Sequence, residues 1–354
     1  MDEVTGLALA GALIGLLYGA TVQRSHFCIM GAISDVALFG STRRLRSWLL
    51  AIGLAMAGTQ AFALAGLAAP SRSVYLSSGA PWLALLLGGL MFGFGMVLAG
   101  GCASRNLVRV GGGSLKALLV VVVLAVAALA TATGLLSVLG PALAAADLPG
   151  AGLAVSPGGL LVEAGSAAAR LVDGLAGIGI GVALVAWCLA SRTFRRSPRE
   201  LWAGVAIGLL ACAAWLAASL APAGGPLFGL TFVEPAGGIL TLLLTGTGTG
   251  VFGMAALLGT LAGAAGAARA AGRFRVERFA DRADLARHVT GAVLMGVGGI
   301  LALGCTIGQG VSGLATLALG SALATAAIVA GALWALRWLE TGHLLPLRAA
   351  APQG

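Results

Sequence analysis

Long apolar segments separated by short polar loops dominate the pattern of this chain. Within each segment apolar residues occupy nearly every position, so neither the one-sided pattern of a surface helix nor the alternation of a half-buried strand is present. Continuous apolar segments of about 17–25 residues are the length that crosses a bilayer as an α-helix. The pattern therefore predicts an all-α polytopic membrane protein.

About nine apolar segments are candidates for membrane spans. Several are short for a hydrocarbon core of roughly 30 Å, which favours tilted or broken helices. The approximate spans are Thr5–Val22, Ser47–Ala68, Pro81–Leu98, Leu115–Leu139, Leu171–Ala190, Leu201–Leu220, Leu242–Ala265, His288–Leu303 and Leu317–Leu339. We expect about nine transmembrane helices plus short re-entrant half-helices, in a single transporter domain over residues 1–354.

Two of these spans end in the same motif. The segments Gly88–Cys102 (GGLMFGFGMVLAGGC) and Gly291–Cys305 (GAVLMGVGGILALGC) agree without gaps at seven positions. Both are glycine-rich and apolar, stop at Gly-Cys and continue into a loop of small polar residues. Interrupted hydrophobic segments at matching positions of two halves indicate the binding site of a transporter.

Composition excludes a soluble protein. Hydrophobic residues make up 59% of the 354 residues, charged residues only 9%, and the mean hydropathy is +1.02, whereas a soluble domain carries about a quarter charged residues. The net charge of +9 does not indicate nucleic acid, because the arginines cluster in short loops between spans. Asp2 and Glu3 precede the first apolar segment without a basic stretch, which favours a retained span over a cleaved signal peptide.

The same arginines predict the orientation in the lipid bilayer. Loops Arg43–Arg46, Arg192–Arg199 and Arg269–Arg287 are basic and the other loops carry little positive charge, so these three are expected in the cytoplasm. The N-terminus is then outside and the C-terminus cytoplasmic, as an odd number of spans requires. The two copies of the motif run antiparallel, which predicts an inverted repeat of halves 5–139 and 201–339 joined by an odd span at 171–190.

Three segments combine apolar residues with Gly, Ser, Thr, Asn or Gln: Gly19–Asp35, Gly100–Ser114 and Gly304–Gly313. Irregular backbone is tolerated at membrane depth only where protein covers it or water reaches it. We therefore expect re-entrant loops and short half-helices that meet near the bilayer centre. A weaker fourth candidate, Phe228–Gly238, stands where the second half would mirror the first of these segments, with Phe232 in place of Phe27 and no cysteine.

Each of the three segments holds one cysteine: Cys28, Cys102 and Cys305. Duplicated Gly-Cys breaks are hard to explain by packing, so these three are the candidate site residues. Cys188 and Cys212 lie inside ordinary spans, where cysteine acts as a small apolar side chain. The absence of CxxC and of His-rich spacing argues against a disulfide framework or a zinc site. No cofactor, metal site or enzymatic activity is predicted.

Charged and polar residues near the cysteines complete the candidate set. Arg105, Arg109 and Lys116 follow Cys102, and sequence alone leaves open whether they anchor the loop or draw an anion towards the site. His26 is expected to be a satisfied loop residue rather than a ligand. The remaining candidates for contact with a substrate, beside Arg105, are Arg24 and Gln309.

The sequences RSHFC at Arg24–Cys28, GGCASRNLVRVGGGS at Gly100–Ser114 and GCTIGQGVSG at Gly304–Gly313 resemble the YeeE/YedE family of bacterial sulfur-transport membrane proteins. The resemblance covers nearly the whole chain. It implies an inner-membrane thiosulfate importer. The expected fold has nine spans plus short buried helices, with an indentation in each face. These cysteines are expected to line a central path and to pass the ion from one to the next. Family members are linked to other sulfur or selenium species as well, and often work beside a small cytoplasmic sulfur-carrier protein.

The chemistry of the residues agrees with a soft anion. Thiosulfate is a dianion with a soft terminal sulfur, and a neutral thiol can hold that atom without trapping it, since it is a weak S–H donor with a polarizable sulfur. Half-helix N-termini add N–H donors and positive dipole ends. The alternatives are a transporter of another sulfur or selenium species or of a soft metal, and a membrane thiol oxidoreductase. A metal would favour Met or His beside Cys, and redox chemistry would need paired cysteines.

Overall fold

A computed structural model of the protein describes residues 3–77, 81–145, 155–161, 166–221, 227–248 and 250–342. Within these ranges the regular structure is helical and no strand is present. Two isolated β-bridges, Ser73–Leu227 and Ser114–Glu277, tie loops that are distant in sequence. The structure confirms the predicted all-α class.

Sixteen helices follow one another in the described ranges. They are α1 Glu3–Ser25, α2 Ile29–Phe39, α3 Arg43–Leu64, α4 Val74–Ser77, α5 Trp82–Leu98, α6 Ala103–Gly111, α7 Leu115–Ala132, α8 Leu139–Ala145, α9 Pro157–Leu161, α10 Ala167–Ala190, α11 Arg192–Arg195, α12 Pro198–Ser219, α13 Glu234–Thr245, α14 Val251–Ala270, α15 Arg282–Leu301 and α16 Leu319–Thr341. A 3₁₀ turn covers Pro70–Arg72, and a π-helical segment covers Gly308–Gly313.

Eight segments of the described chain are long and apolar enough to cross a membrane. Two of them contain a break: one joins α1 to α2, and another joins α5 to α6. The 20-residue helix α15 also has spanning length, but it begins with Arg282 and Asp284, whose charges lower its hydropathy. The eight segments and α15 correspond to the nine spans expected from the sequence, and the bounds of two of these spans differ from the prediction.

The predicted span Leu242–Ala265 is confirmed as a span but begins too early. Leu242 and the residues up to Thr245 end the short helix α13, and α14 begins only at Val251. Gly246 (φ 71°) and Gly250 (φ 76°) adopt left-handed backbone at these two ends, which glycine reaches without a Cβ clash. The predicted span Leu115–Leu139 was also too long, because α7 ends at Ala132. In both places a threonine and a glycine follow the helix, with apolar residues on either side of them.

Glycines bring the backbones of α1 and α14 into direct contact. A Cβ atom added to Gly15 would lie 2.0 Å from the carbonyl oxygen of Ala256, and one added to Gly19 would lie 2.1 Å from that of Thr260. Glycines of α14 make the same kind of contact in return. Such close approach lets two helices associate in lipid, where no hydrophobic driving force holds them together.

Helices α5 and α15 cross at a reciprocal glycine contact. A Cβ on Gly88 would lie 2.7 Å from the carbonyl oxygen of Gly298, and one on Gly298 would lie 2.5 Å from that of Gly88. Gly95 and Gly291 are related in the same way, at 2.6 Å in each direction. The earlier glycine of each helix faces the later glycine of the other, so the two helices run antiparallel where they touch.

The three basic loops lie on one face of the protein, which we call the basic face. The Ser47 hydroxyl donates to the Glu200 carbonyl at 2.6 Å, and the Arg275 amide donates to the Gly112 carbonyl at 3.0 Å. Arginines from all three loops lie within electrostatic range of His26, namely Arg44, Arg199 and Arg273. Helix α1 ends at this face, so Glu3 lies towards the opposite one.

This arrangement predicts the topology. Reporter fusions in loops 192–199 and 272–280 should report the cytoplasm, because positively charged loops stay on that side, and a fusion in loop 65–72 should report the outside. Met1 and Gly354, whose structure lies outside the described residues, are expected on opposite sides, Met1 outside. Fusions that place both termini on one side would contradict the odd number of spans and the inverted repeat.

Candidate functional site

The two Gly-Cys breaks have the same backbone geometry. Gly100 (φ 68°) and Leu303 (φ 55°) each lie two residues before a cysteine and have left-handed backbone conformations. Gly101 and Gly304 follow them, with φ of 159° and 157°. The second break therefore holds a leucine in a conformation that disfavours side chains with a Cβ. The two breaks thus share one turn geometry, although only the first has a glycine at this position.

Amide side chains satisfy the broken helix ends. The Asn106 side chain donates to the carbonyls of Ala99 (3.5 Å) and Gly101 (2.7 Å), and Gln309 donates to the carbonyl of Ala302. Asn106 and Gln309 stand at the same distance in sequence from their cysteines, and so do the two alanines. Each amide supplies a hydrogen bond that water would give outside the membrane. Gln309, a predicted site residue, thus has a structural partner as well.

Cys102 is the N-cap residue of α6 and is 2% exposed. Its sulfur lies 3.3 Å from the Ser104 hydroxyl oxygen. The thiols of Cys28 and Cys102 are close enough to interact, and the Thr306 hydroxyl also faces the Cys102 thiol. That hydroxyl is buried and makes no hydrogen bond of normal length in the described structure. The structure therefore brings two of the three predicted cysteines together beside a free donor.

Cys28 is the N-cap residue of the short helix α2 and is partly exposed. It lines a small cavity of about 30 Å³ that opens at the basic face. Arg44, Arg199 and His26 line the same cavity. Cys28 is therefore the member of the cluster next to the predicted cytoplasmic side.

Cys305 is fully buried and precedes the π-helical segment. Its sulfur accepts a hydrogen bond from the Gly308 amide at 3.4 Å and lies 3.9 Å from the Thr231 hydroxyl oxygen. Thr231 belongs to the segment Phe228–Gly238, which sequence had indicated only weakly. All five cysteines are free thiols, and no group of three or more potential metal ligands occurs among the described residues.

The structure separates the three cationic residues that follow Cys102. Arg109 pairs with Glu277 at 3.0 Å, and Lys116 pairs with Asp284 at 2.6 Å. The Ser114 hydroxyl and the Arg109 guanidinium hold the pKa of Glu277 below its usual value. Arg109 therefore fastens α6 to the loop before α15, and Lys116 fastens the start of α7 to the first turn of α15.

Arg105 is placed differently. One terminal nitrogen donates to His26 Nδ1 at 3.1 Å, and the other is buried without a hydrogen-bond partner among the described residues. Because a guanidinium only donates, His26 accepts through Nδ1. Arg105 also lies within electrostatic range of Cys28 and Cys102. It is thus the cation available to an anion at the cysteines.

Arg24, another predicted site residue, lies outside this cluster. Its side chain is exposed in the last turn of α1, on the basic face. Sequence proximity to Cys28 suggested contact, but Arg24 is still helical, and the chain turns only at His26 (φ 56°). Because of this turn, the side chains of Arg24 and Cys28 point in different directions.

Sequence reasoning missed two tyrosines, although they are the only two in the chain. Tyr18 is fully buried, stacks on Phe232 with ring centroids 5.1 Å apart and interacts with the Ser104 hydroxyl. It lies within electrostatic range of all three site cysteines. Tyr75 lies within range of Cys305, and its buried hydroxyl has no hydrogen-bond partner in the described ranges. Their rarity is the sequence signal that could have identified them as site residues, because an apolar span needs no phenol.

A larger cavity of about 430 Å³ lies on the side opposite the basic face. It reaches Leu76, beside Tyr75, and its polar lining residues are Gln60, Ser71, Ser156, Arg170, Asp173 and Thr316. Cys102 and Cys305 line neither this cavity nor the small one at Cys28, and both are buried. The described conformation is closed at its centre.

Comparisons with known proteins agree with the motifs. The chain matches the sulphur-transport family over residues 24–334. It is 30% identical over 353 residues to the thiosulfate transporter TsuA of Escherichia coli strain K12, covering 94% of each chain. It is 28% identical over 338 residues to the thiosulfate transporter TsuA of Spirochaeta thermophila, covering 93% of this chain and 98% of the relative.

A shorter similarity links the chain to the probable transporter YedE of E. coli strain K12, with 31% identity over 104 residues. That match covers 29% of this chain and 23% of the relative. The family match extends over most of the chain and contains all three cysteine motifs. The resemblance seen in those motifs is confirmed, and the chain belongs to the YeeE/YedE family of sulphur-transport membrane proteins.

Proposed function

We propose that this protein takes up thiosulfate, or a closely related soft sulfur anion, along a central path lined by Cys305, Cys102 and Cys28 in that order. Two observations support the proposal: the three thiols lie within electrostatic range of the buried Tyr18, and a cavity opens on each face, one of them at Cys28. The full-length relatives named thiosulfate transporters support the substrate. The family consists of transporters, not enzymes.

Cys28 and Cys102 are N-cap residues of short helices, and the Cys305 sulfur accepts from the Gly308 amide, so the path offers two kinds of donor. The thiol offers a weak S–H donor and a polarizable sulfur to the soft end of the anion. Backbone N–H groups at the start of the short helices favour its negative charge. Weak sites in series allow an ion to enter and also to leave. The free nitrogen of Arg105 and the arginines at the basic face would attract the anion from Cys102 towards the cytoplasm.

We also propose that the two halves of the chain form an inverted repeat. The reciprocal contacts of Gly88 with Gly298 and of Gly95 with Gly291 support an inverted repeat of halves 5–139 and 201–339 around the odd span 171–190. The shared break geometry and the matched Asn106 and Gln309 amides support it as well. In such transporters the site lies where the two halves meet.

The proposed location is the bacterial inner membrane, with the N-terminus outside and the C-terminus cytoplasmic. A small cytoplasmic sulfur-carrier protein is a proposed partner, to receive the anion at the basic face. Import needs a driving force, because two negative charges moving inward against 100 mV cost about 4.6 kcal/mol.

Uptake by a host that lacks its own sulfur-anion importers tests the proposal. Cells producing the protein should accumulate labelled thiosulfate, while sulfate, which has no soft sulfur atom, should enter far less. Equal uptake of both anions would contradict the role of the thiols. Accumulation of a soft metal, or oxidation of thiols during turnover, would favour the metal-transport or oxidoreductase alternative.

Replacing Cys102 with serine should lower thiosulfate uptake by about fivefold, the equivalent of roughly 1 kcal/mol. Serine keeps a donor of similar size but loses the polarizable sulfur.

In the wild type, uptake should not rise as external pH increases, because a higher pH converts thiols to thiolates, which repel an anion. Two unit charges roughly 4 Å apart repel each other by about 4 kcal/mol at an effective dielectric constant of about 20.

Initial rates of uptake against pH, in wild type and in Cys102→Ser, provide the measurement. A free thiol ionises at a pH of about 8.5. A rate that climbs through this range in the wild type, but not in the variant, would indicate thiolate chemistry and would contradict the proposed neutral path.

A further inference from the structure

Glu234 is an acidic residue near the path that the proposed mechanism does not use. It is the first residue of the short helix α13, which lies between the spanning helices α12 and α14. Its side chain is partly buried and makes no hydrogen bond or ion pair with any residue that the structure describes. A carboxyl at such a position is expensive in a membrane protein, and its presence indicates a function.

The carboxyl lines a cavity of about 250 Å³. The other lining residues are apolar or glycine and come chiefly from α1, α12 and α14, among them Val4, Leu7, Ala218, Gly250 and Phe252. The cavity lies where α1 and α14 begin and α12 ends, which is the side opposite the basic face. Water and protons from the proposed outer side can therefore reach Glu234 without passing the cysteines.

Two influences act on the charge of this carboxyl in opposite directions. Burial without a cation favours the neutral form. The start of α14 favours the carboxylate, because the first amides of a helix have no partner within that helix and its dipole end is positive. The Glu234 oxygens lie 3.5 and 3.8 Å from where a Cβ of Gly250 would be. Opposed influences of this kind leave a group that a further nearby charge can switch.

Tyr75 links Glu234 to the path. The buried phenol lies within electrostatic range of both Glu234 and Cys305. The charged residues next to the cavity lining are Glu3, which precedes Val4, and Arg72, whose carbonyl accepts from the Leu227 amide. Glu234 makes no ion pair with a described residue, so its negative charge and that of an anion at Cys305 would repel each other through a medium of low dielectric constant.

We propose that Glu234 is a proton-binding site linked to the anion. When a dianion occupies the path at Cys305, the carboxylate takes up a proton from water in the adjoining cavity, and it releases the proton when the anion has left. An O–H bond forms at the carboxylate and no bond of the anion changes. Linkage makes the effect reciprocal, so protonation of Glu234 strengthens anion binding. The inference rests on the proposed function, since it needs an anion in the path.

Calorimetry of thiosulfate binding to the purified full chain, in buffers of different ionisation enthalpy, measures the protons taken up. Proton uptake by the wild type should approach one per anion at the higher pH values of a series, where the free carboxyl is ionised, and should fall at lower pH, where burial already leaves it protonated. The Kd of the wild type should tighten as pH falls, by at most about tenfold per pH unit. Glu234→Gln, a neutral mimic, should take up no proton, bind independently of pH, and bind more tightly than wild type at the higher pH.

Two further variants make the result specific. Glu340→Gln removes an exposed carboxyl from α16 and should behave as wild type. Glu234→Asp keeps a titratable group and should keep proton uptake, with a shifted pH midpoint. Unchanged proton uptake in Glu234→Gln would overturn the proton site while leaving the transport proposal intact. Absence of binding of any sulfur anion to the wild type would overturn the proposed function itself, and the linked site with it.

Discussion

Replacing Cys102 with alanine is expected to reduce thiosulfate uptake by roughly 10- to 150-fold, and replacing Cys305 is expected to do the same. A hydrogen bond between a protein group and a charged partner contributes about 1.5–3 kcal/mol, and each 1.4 kcal/mol is a factor of ten. Both thiols are buried at the closed centre, so water cannot take their place. Cys28→Ala should lower uptake in the same direction but by less, because Cys28 is partly exposed beside Arg44 and Arg199.

Cys188→Ala is the matched control. Cys188 is as buried as Cys305, but it packs against Leu50 and Phe194 away from the site, so uptake should stay at the wild-type level. Cys212→Ala, which removes a thiol that donates to the Leu54 carbonyl at 3.4 Å, should likewise retain uptake. Membrane insertion of every variant is checked by its amount in the membrane fraction. Full transport by both Cys102→Ala and Cys305→Ala would exclude the thiol path.

Replacing Gly298 with alanine is expected to destabilise the folded protein by about 1–3 kcal/mol or more. The added Cβ would lie 2.5 Å from the Gly88 carbonyl oxygen and 2.7 Å from the Phe92 amide nitrogen. Both are backbone atoms, so the two helices must move apart. Gly88→Ala should have a similar effect, because the contact is reciprocal.

Gly179→Ala provides the comparison, since Gly179 also lies inside a helix but has nothing within 4 Å of an added Cβ. Alanine has the higher helix propensity, so this variant should be as stable as the wild type or slightly more so. Thermal unfolding in detergent, followed by size-exclusion chromatography, measures the difference. Equal stability of Gly298→Ala and Gly179→Ala would show that the helices can separate there at little cost.

Much of the architecture could be predicted from sequence because the bilayer imposes simple rules. Span length, arginine-rich loops and the duplicated Gly-Cys motif predicted the helical class and the breaks before Ala103 and after Leu301. The turn between Thr245 and Val251 was missed, because hydropathy measures side chains and not backbone conformation. Two glycines end one helix and begin the next inside a segment that looked continuous.

The side-chain partners in the site could not be predicted in the same way. Arg105 and Arg109 are one helical turn apart and chemically identical, yet Arg109 pairs with Glu277 while one nitrogen of Arg105 remains free. The difference depends on a loop more than 160 residues later, which no local pattern contains. Tyr18 and Tyr75 come from α1 and α4, and only the fold brings them to the cysteines.

The closed centre between the two cavities has an electrical consequence. Water entering the cavities would carry the potential of each bulk solution inward, so most of the transmembrane voltage would fall across the short buried section from Cys305 to Cys102. On the proposed path, the field there would be stronger than in a bilayer of uniform thickness. An anion would then meet nearly the whole voltage in a single step between two neighbouring thiols, and that step would set how steeply uptake depends on membrane potential.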